Sequence, residues 1–140
     1  MKNRTVSPQI LPDAFTRTLE GMASGYLSTM QNVEAKAGFQ SRKVDKQTKS
    51  LLSYLFEGTR GGINRLRIML LLTERSLNAH QIAKELGLDY NSIEHHIAIL
   101  EKNNMISRVG PKYGAMFFLS TFLEVNIEAF NEIVKKFAKS

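Results

Sequence analysis

Cysteine is absent from the 140 residues, which excludes disulfides, thiolate metal sites and cysteine nucleophiles. No apolar run approaches the ~20 residues a membrane-spanning helix requires. The opening MKNRTVSPQILPD is too polar and too broken by proline for a signal peptide, so a soluble, cytoplasmic protein is expected. Internal repeats and low-complexity tracts are missing too. No Ser/His/Asp order and no paired carboxylates with a pocket signature emerge, and Gly61 and Gly62 stand outside any P-loop context. Neither an enzyme nor a cofactor is therefore expected. What remains is a chain with 43% hydrophobic residues, enough to bury one compact core with an appended element.

Positive charge is plentiful. The formal charge is +6, which suits a polyanionic partner such as nucleic acid. Residues 1–49 hold eight Lys/Arg against four Asp/Glu, whereas residues 50–140 hold eleven against nine. The excess gathers around Arg42, Lys43, Lys46 and Lys49. Phosphate contact and a merely solvated linker explain that cluster equally well.

Patterning divides the chain. Residues 1–12, with Pro8 and Pro12, read as an extended arm. Asp13 can cap a helix over 13–37, whose face is Phe15, Leu19, Met22, Tyr26, Met30 and Val33 at spacings of three and four. Gly21 and Gly25 each cost that helix ~1 kcal/mol relative to Ala, tolerable if another helix packs closely there. Gly38 is a suitable stop. Residues 38–50 read as a basic linker or a helical lead-in. Leu51, Leu52, Leu55 and Phe56 resume the helical period before Gly58, Gly61 and Gly62 interrupt it. From Ile63 to Leu72 a helix with most faces buried is expected, leaving Arg65 and Arg67 on its remaining exposed surface.

The most informative segment is 78–104. Asn78 can cap a short helix carrying Ile82, Ala83 and Leu86. Gly87 stands where a sharp turn needs positive φ, and Asp89 can cap a second helix with Ile93, Ile97 and Leu100 on one face. Two helices joined by a short Gly-containing turn form a helix-turn-helix. The period then changes to two: 105–109 and 115–119 flank the turn-rich Gly110, Pro111, Lys112, Tyr113 and Gly114, a β-hairpin with a basic, aromatic tip. The expected fold is mainly α with a small β-hairpin, a winged helix-turn-helix domain over 51–120 flanked by N- and C-terminal helices.

Residues 63–119 resemble the ArsR-type winged helix-turn-helix regulators, particularly their archaeal versions. TRGGINRLRIMLLL (59–72) resembles the family's first domain helix. NAHQIAKELGLDYNSIEHHIAILEKNNMI (78–106) resembles its helix-turn-helix, and YGAMFFLS (113–120) its returning wing strand. The resemblance implies a homodimer that binds double-stranded DNA and regulates transcription. It leaves open the signal sensed.

On the second helix, turning 100° per residue from the apolar stripe exposes Tyr90, Asn91, Glu94, His95 and Ala98. Asn91 can bond an adenine edge and Glu94 can accept from a cytosine amine. Tyr90, Ser92 and His95 complete the expected reading set. Glu94 is a liability near phosphates unless it reads a base. His96 is expected to be half-buried, packing and hydrogen-bonding rather than ligating. Adjacent helical residues point about 100° apart, so His95 and His96 cannot chelate one ion, and His80 lies on another helix. No metal site is expected. At the wing Arg108, Lys112 and Tyr113 are candidates for phosphate or minor-groove contact, with Lys84 and Arg65 as backbone contacts.

Thr121 and Glu124 have the spacing of a capping box for a C-terminal helix over 121–140. Leu123, Ile127, Phe130, Val134 and Phe137 recur in a heptad-like seam. Its partner is either the chain's own N-terminal helix or the same elements of a second subunit, and the family resemblance implies the second. Phe15, Leu19, Met22 and Tyr26 would then share the interface. Two other functions fit the pattern: a nucleoid-type protein coating DNA with little specificity, and a winged helix used for protein assembly without DNA contact.

Overall fold

The computed structural model describes residues 17–37 and 44–138, with side chains over 17–30 and 44–138. The arm, the Asp13 cap, Phe15, Gly38, Arg42 and Lys43 lie outside the described residues, as does the side chain of Val33.

Seven helices and one hairpin follow in order among the described residues: α1 (Leu19–Ala37), α2 (Lys46–Phe56), α3 (Gly62–Glu74), α4 (Ala79–Leu86), α5 (Tyr90–Lys102), β1 (Ile106–Val109), β2 (Met116–Leu119), α6 (Thr121–Val125) and α7 (Ile127–Phe137). The fold is mainly helical with a two-stranded antiparallel wing, a winged helix-turn-helix with helices on either side. The helical lead-in begins at Lys46, earlier than its apolar period. The cause is local: Asp45 caps α2 by accepting from the Thr48 backbone N–H at 2.8 Å and from its hydroxyl at 3.0 Å.

The hub is α3. Leu66, Ile68, Met69, Leu70, Leu71 and Leu72 are all buried, while Ile63 at its start is 52% exposed. It packs against α1, α2, α4, α5 and β2. Glycine sets the geometry of its entrance. A Cβ on Gly62 would stand 2.6 Å from the Phe56 carbonyl oxygen, so α2 ends against the first residue of α3 with no room for a side chain.

In the wing, Ile106 pairs with Leu119, Ser107 with Phe118, Arg108 with Phe117 and Val109 with Met116. Phe117 also donates its N–H to the Leu77 carbonyl at 2.8 Å, which pins the returning strand to the loop before α4. Between α5 and β1 the chain turns through Asn104 at φ 58°, a left-handed position that Asn tolerates better than most residues.

Two details at the C-terminus differ from expectation. Ser120, not Thr121, caps α6, accepting from the Leu123 N–H at 3.0 Å. The helix is also broken: Asn126, at φ −106° and ψ 27°, separates α6 from α7 and folds its side-chain amide back onto the Phe122 carbonyl at 2.9 Å. This is the competition of a short polar side chain with helical continuation.

The seam expected to face a second subunit is largely consumed within the chain. Leu123, Phe130 and Val134 are fully buried, and Ile127 and Phe137 are partly buried. Phe130 meets Tyr26 of α1 and Phe56 of α2 edge to face, at 5.9 and 5.8 Å between ring centroids. Tyr26 also donates to Asn131 Oδ1 at 2.5 Å. Of the N-terminal set, Met22 is buried, and Leu19 and Tyr26 pack on the same core. So α7 closes an intrachain core with α1 and α2, and Leu123, Phe130 and Val134 have no surface to offer a partner.

Among the described residues, the close helix contact anticipated at Gly21 and Gly25 is not made. A Cβ on Gly25 would meet nothing within 4 Å. Both glycines instead line an open groove of about 710 Å³ shared with Met22, Tyr26, Leu119 and Ile127.

Candidate nucleic-acid interface

The scaffold is built from caps that the sequence writes out. Asn78 accepts from the Gln81 N–H at 2.9 Å while Gln81 Oε1 accepts from the Asn78 N–H at 2.8 Å, a complete capping box. Gly87 closes α4 at φ 67°, ψ 32°, in the left-handed region where glycine alone carries no Cβ penalty. Asp89 then caps α5, accepting from the Ser92 N–H at 3.0 Å and its hydroxyl at 2.8 Å. Those bonds from Ser92 hold the Asp89 carboxyl below its usual range. They also occupy the hydroxyl of Ser92, which is a capping partner first.

With both ends fixed, the rotation of α5 follows from its apolar stripe. Ile93, Ile97 and Leu100 are buried to 2% exposure or less. Tyr90, Asn91, Glu94, His95 and Ala98 are exposed together on the opposite side, as the 100° arithmetic requires. Lys84, one turn before the Gly87 turn, is exposed as well.

Tyr90 and Glu94 lie one turn apart on this face. The neighbouring Glu94 carboxylate first, then desolvation, raises the phenol's pKa. The Tyr90 ring stacks on the imidazole of His80, with centroids 4.2 Å apart and planes 17° from parallel. His80 belongs to α4, and no spacing in the sequence pairs it with Tyr90. Only the tight turn between the helices brings residue 80 beside residue 90, although placing both in first helical turns could have signalled it.

At the wing, Tyr113 is 82% exposed and the Lys112 ammonium lies 5.8 Å from its ring centre. Arg108 is also exposed, but it is committed: its Nε and one Nη each donate to the Glu101 carboxylate at 2.8 Å, and its guanidinium lies over Phe117. Hydrogen bonding to Glu101 raises its pKa. Any phosphate approaching Arg108 must compete with Glu101.

Arg65 departs from expectation. Instead of lying on the surface as a backbone contact it is 4% exposed. Its Nε donates to the Leu55 carbonyl at 3.1 Å, one Nη reaches the Thr59 hydroxyl, and the other faces His96 Nδ1 at 3.5 Å. Arg65 falls under the segment between α2 and α3, which covers the face that the apolar residues of α3 leave open. Arg67 is partly buried and also structural. It donates to the Arg17 carbonyl through two nitrogens and to the Leu86 carbonyl at 3.0 Å, tying the start of α1 to the end of α4.

His96 is 8% exposed, more deeply set than a half-buried residue. Desolvation first, then the charge of Arg65 and that of His95, lowers its pKa. Its ring and that of His95 are 5.6 Å apart and tilted by 58°. Among the described residues no group of three or more His, Asp or Glu is placed to hold a metal ion. None of the described helices is long and apolar enough to cross a membrane.

The arrangement is thus an exposed helix face of hydrogen-bonding side chains with a basic, aromatic hairpin following it. Comparison with known proteins agrees with this geometry in one segment. Residues 64–108, from α3 into β1, match the family described as bacterial regulatory protein, arsR family. Among solved structures, HlyU from Vibrio cholerae N16961 is similar at 18% identity and a TM-score of 0.48, covering 64% of this chain and 97% of that one. A probable transcriptional regulator from Pseudomonas aeruginosa is similar at 18% identity and a TM-score of 0.47, covering 64% and 73%. At these values neither structural likeness bears on function. No curated protein sequence matches the chain closely enough to count as a relative.

Proposed function

We propose that this chain is a sequence-reading, double-stranded DNA-binding transcription regulator, acting in the cytoplasm on the nucleoid as a homodimer. The observation that carries the reading is the split of α5. Ile93, Ile97 and Leu100 lock one face into the core, and the other presents Tyr90, Asn91, Glu94 and His95 together. A helix held this way can enter a major groove with its first turns against base edges. Asn91 is the candidate for adenine and Glu94 for the cytosine amine. Lys84, Lys112 and Tyr113 are the candidates for backbone or minor-groove contact, and Arg108 joins them once it leaves Glu101. Arg65 has no part in contact.

The dimer surface is reassigned to the open face of α1. Gly21 and Gly25 weaken that helix, yet none of the described residues packs on Gly25. A second copy would supply the missing contact, and twofold symmetry would match a palindromic site.

Competition binding at fixed salt tests the reading. Asn91→Ala combined with Glu94→Ala is expected to remove preference for the selected duplex over random duplex, leaving random-duplex affinity within about twofold. Equal loss on both duplexes, or a wild-type protein with a steep salt dependence and little preference, would instead mark a low-specificity coating protein. No binding to either duplex would leave the protein-assembly role.

A further inference from the structure

Burial of Arg65 leaves a different arginine exposed beside α5. Between α2 and α3 the chain runs through Glu57, Gly58, Thr59, Arg60 and Gly61. Arg65 grips that segment from below: its Nε donates to the Leu55 carbonyl at 3.1 Å, and one Nη reaches the Thr59 hydroxyl. Its other Nη faces Nδ1 of His96, on α5, at 3.5 Å. Gly61 closes over this pair. A Cβ there would stand 2.6 Å from the Arg65 Nη and 2.7 Å from His96 Cε1, so the Gly61 backbone lies against the His96 ring. Arg60 is thus fixed along one flank of α5, by Thr59 before it and Gly61 after it.

The Arg60 side chain is exposed, and among the described residues it makes no hydrogen bond or ion pair. The one carboxylate of its segment, Glu57, is taken by the Lys136 ammonium at 3.1 and 3.2 Å. The wing approaches α5 on the other flank, where Arg108 bonds Glu101. Five residues separate His96 from Glu101, about 140° of helical rotation, and the buried Ile93, Ile97 and Leu100 occupy that arc. Asn91, Glu94 and His95 occupy the wider, exposed arc. The reading face therefore has a cation-bearing segment on each side.

A helix in the major groove has a phosphate backbone on both sides, since the groove is only about 12 Å wide. The wing can serve one of them. Resting on the DNA-binding function proposed above, we propose that Arg60 contacts a backbone phosphate on the flank of α5 opposite the wing, placed there by its fixed neighbours Thr59 and Gly61. Arginine suits this position because its donors match phosphate oxygens two at a time. The contact sets the reading helix between two backbones and carries no base preference of its own.

Binding of the full-length protein to its selected duplex and to random duplex is measured across a salt series, with a thermal melt of each variant to verify folding. Arg60→Gln should weaken both duplexes by the same factor, about fivefold at roughly 0.1 M salt. It should also lower the slope of log affinity against log salt by about 0.9 for each bound chain. Arg60→Lys retains the charge and should restore most of that slope. A second series uses selected duplexes in which one phosphate at a time is replaced by a neutral methylphosphonate. The wild type should lose affinity at one phosphate per bound chain that Arg60→Gln no longer senses. An unchanged salt slope in Arg60→Gln overturns the inference alone. A loss confined to the selected duplex also overturns it, making Arg60 a base reader. Equal sensitivity of both proteins to every methylphosphonate overturns the contact and leaves Arg60 a distant charge. A wild-type protein that binds neither duplex overturns both this inference and the function it rests on.

Discussion

Residues 62–119 and the helices flanking them are held together by different kinds of contact. In the first region nearly every boundary is signed by a residue within three positions. Asn78 and Gln81 reciprocate, Asp89 caps α5 by accepting from Ser92, and Gly87 takes the left-handed turn. In the second, the decisive contacts span the chain. Tyr26 bonds Asn131 across 105 residues, and Arg67 holds the Arg17 carbonyl across 50. Local signals orient α5 unambiguously. Long-range partners decide whether α7 faces its own chain or another, and no cap encodes that choice.

The junction between the regions is the sharpest place to test the contrast. At the entrance to α3 the two meet through Gly62, whose missing side chain lets the Phe56 carbonyl approach. Gly62→Ala would place a Cβ 2.6 Å from that oxygen and 2.8 Å from its carbon. Backbone atoms of a buried residue cannot step aside, so a loss of about 3 kcal/mol is expected in urea or thermal unfolding. Gly58→Ala, whose nearest neighbours lie at 3.6 Å, should stay within about 0.5 kcal/mol. Similar effects from the two would show that α2 is not fixed against α3.

The same junction contains the Arg65 and His96 pair, which links α3 to α5. His96 has a lowered pKa in the fold, so the unfolded chain takes up the proton first as pH falls through 6.5. Stability is then full above about pH 6.5 and declines below it until the lower folded pKa is passed. The slope can reach about 1.4 kcal/mol per pH unit. Equilibrium unfolding at pH 7.5 and 5.5 should show this decline in the wild type, and His96→Gln should flatten it. An unflattened profile would assign the effect to another group.

These two sites also show where the sequence stops being readable. The stripe of Ile93, Ile97 and Leu100 fixes the rotation of α5, and with it the exposure of Tyr90, Asn91, Glu94 and His95, because periodicity is local. The wing was readable for the same reason, since Gly110 and Gly114 both adopt positive φ around its tip. Arg65 was misplaced because an arginine on a nearly all-apolar helix looks exposed until the loop above it is known. His80 was missed because its partner lies on the next helix, and a stacked pair has no spacing signature. The break at Asn126 was hidden inside an otherwise regular apolar period.

A smaller effect probes the flanking region directly. Tyr26→Phe removes the phenol that donates to Asn131, whose side chain is 6% exposed. Leaving a buried amide oxygen without that donor is expected to destabilise by about 1 kcal/mol. The Phe130 edge contact and the apolar packing of the ring should persist. Amide hydrogen exchange should then speed in α1 and α7, with α4 and α5 unaffected. Uniform acceleration across all helices would mean that the two regions unfold as one unit, and the contrast drawn between them would be structural but not energetic.

The smallest effect is the most diagnostic for assembly. Gly25 interrupts α1 with no Cβ and, among the described residues, no neighbour within 4 Å. In an isolated chain Gly25→Ala should therefore stabilise, by about 0.5–1 kcal/mol, because Ala loses less backbone entropy in a helix. A helix from a second copy lying against that bare position would invert the result at high concentration, since the new methyl would separate the two backbones. The proposed dimer thus predicts opposite signs in two measurements: a higher melting temperature at dilution and weaker self-association in sedimentation. Gly21 is the less suitable site, because its Cβ would already crowd the Thr18 hydroxyl at 3.1 Å. Stabilisation with unchanged association would move the dimer surface away from α1, and the glycines would then be needed only for the open groove that they line.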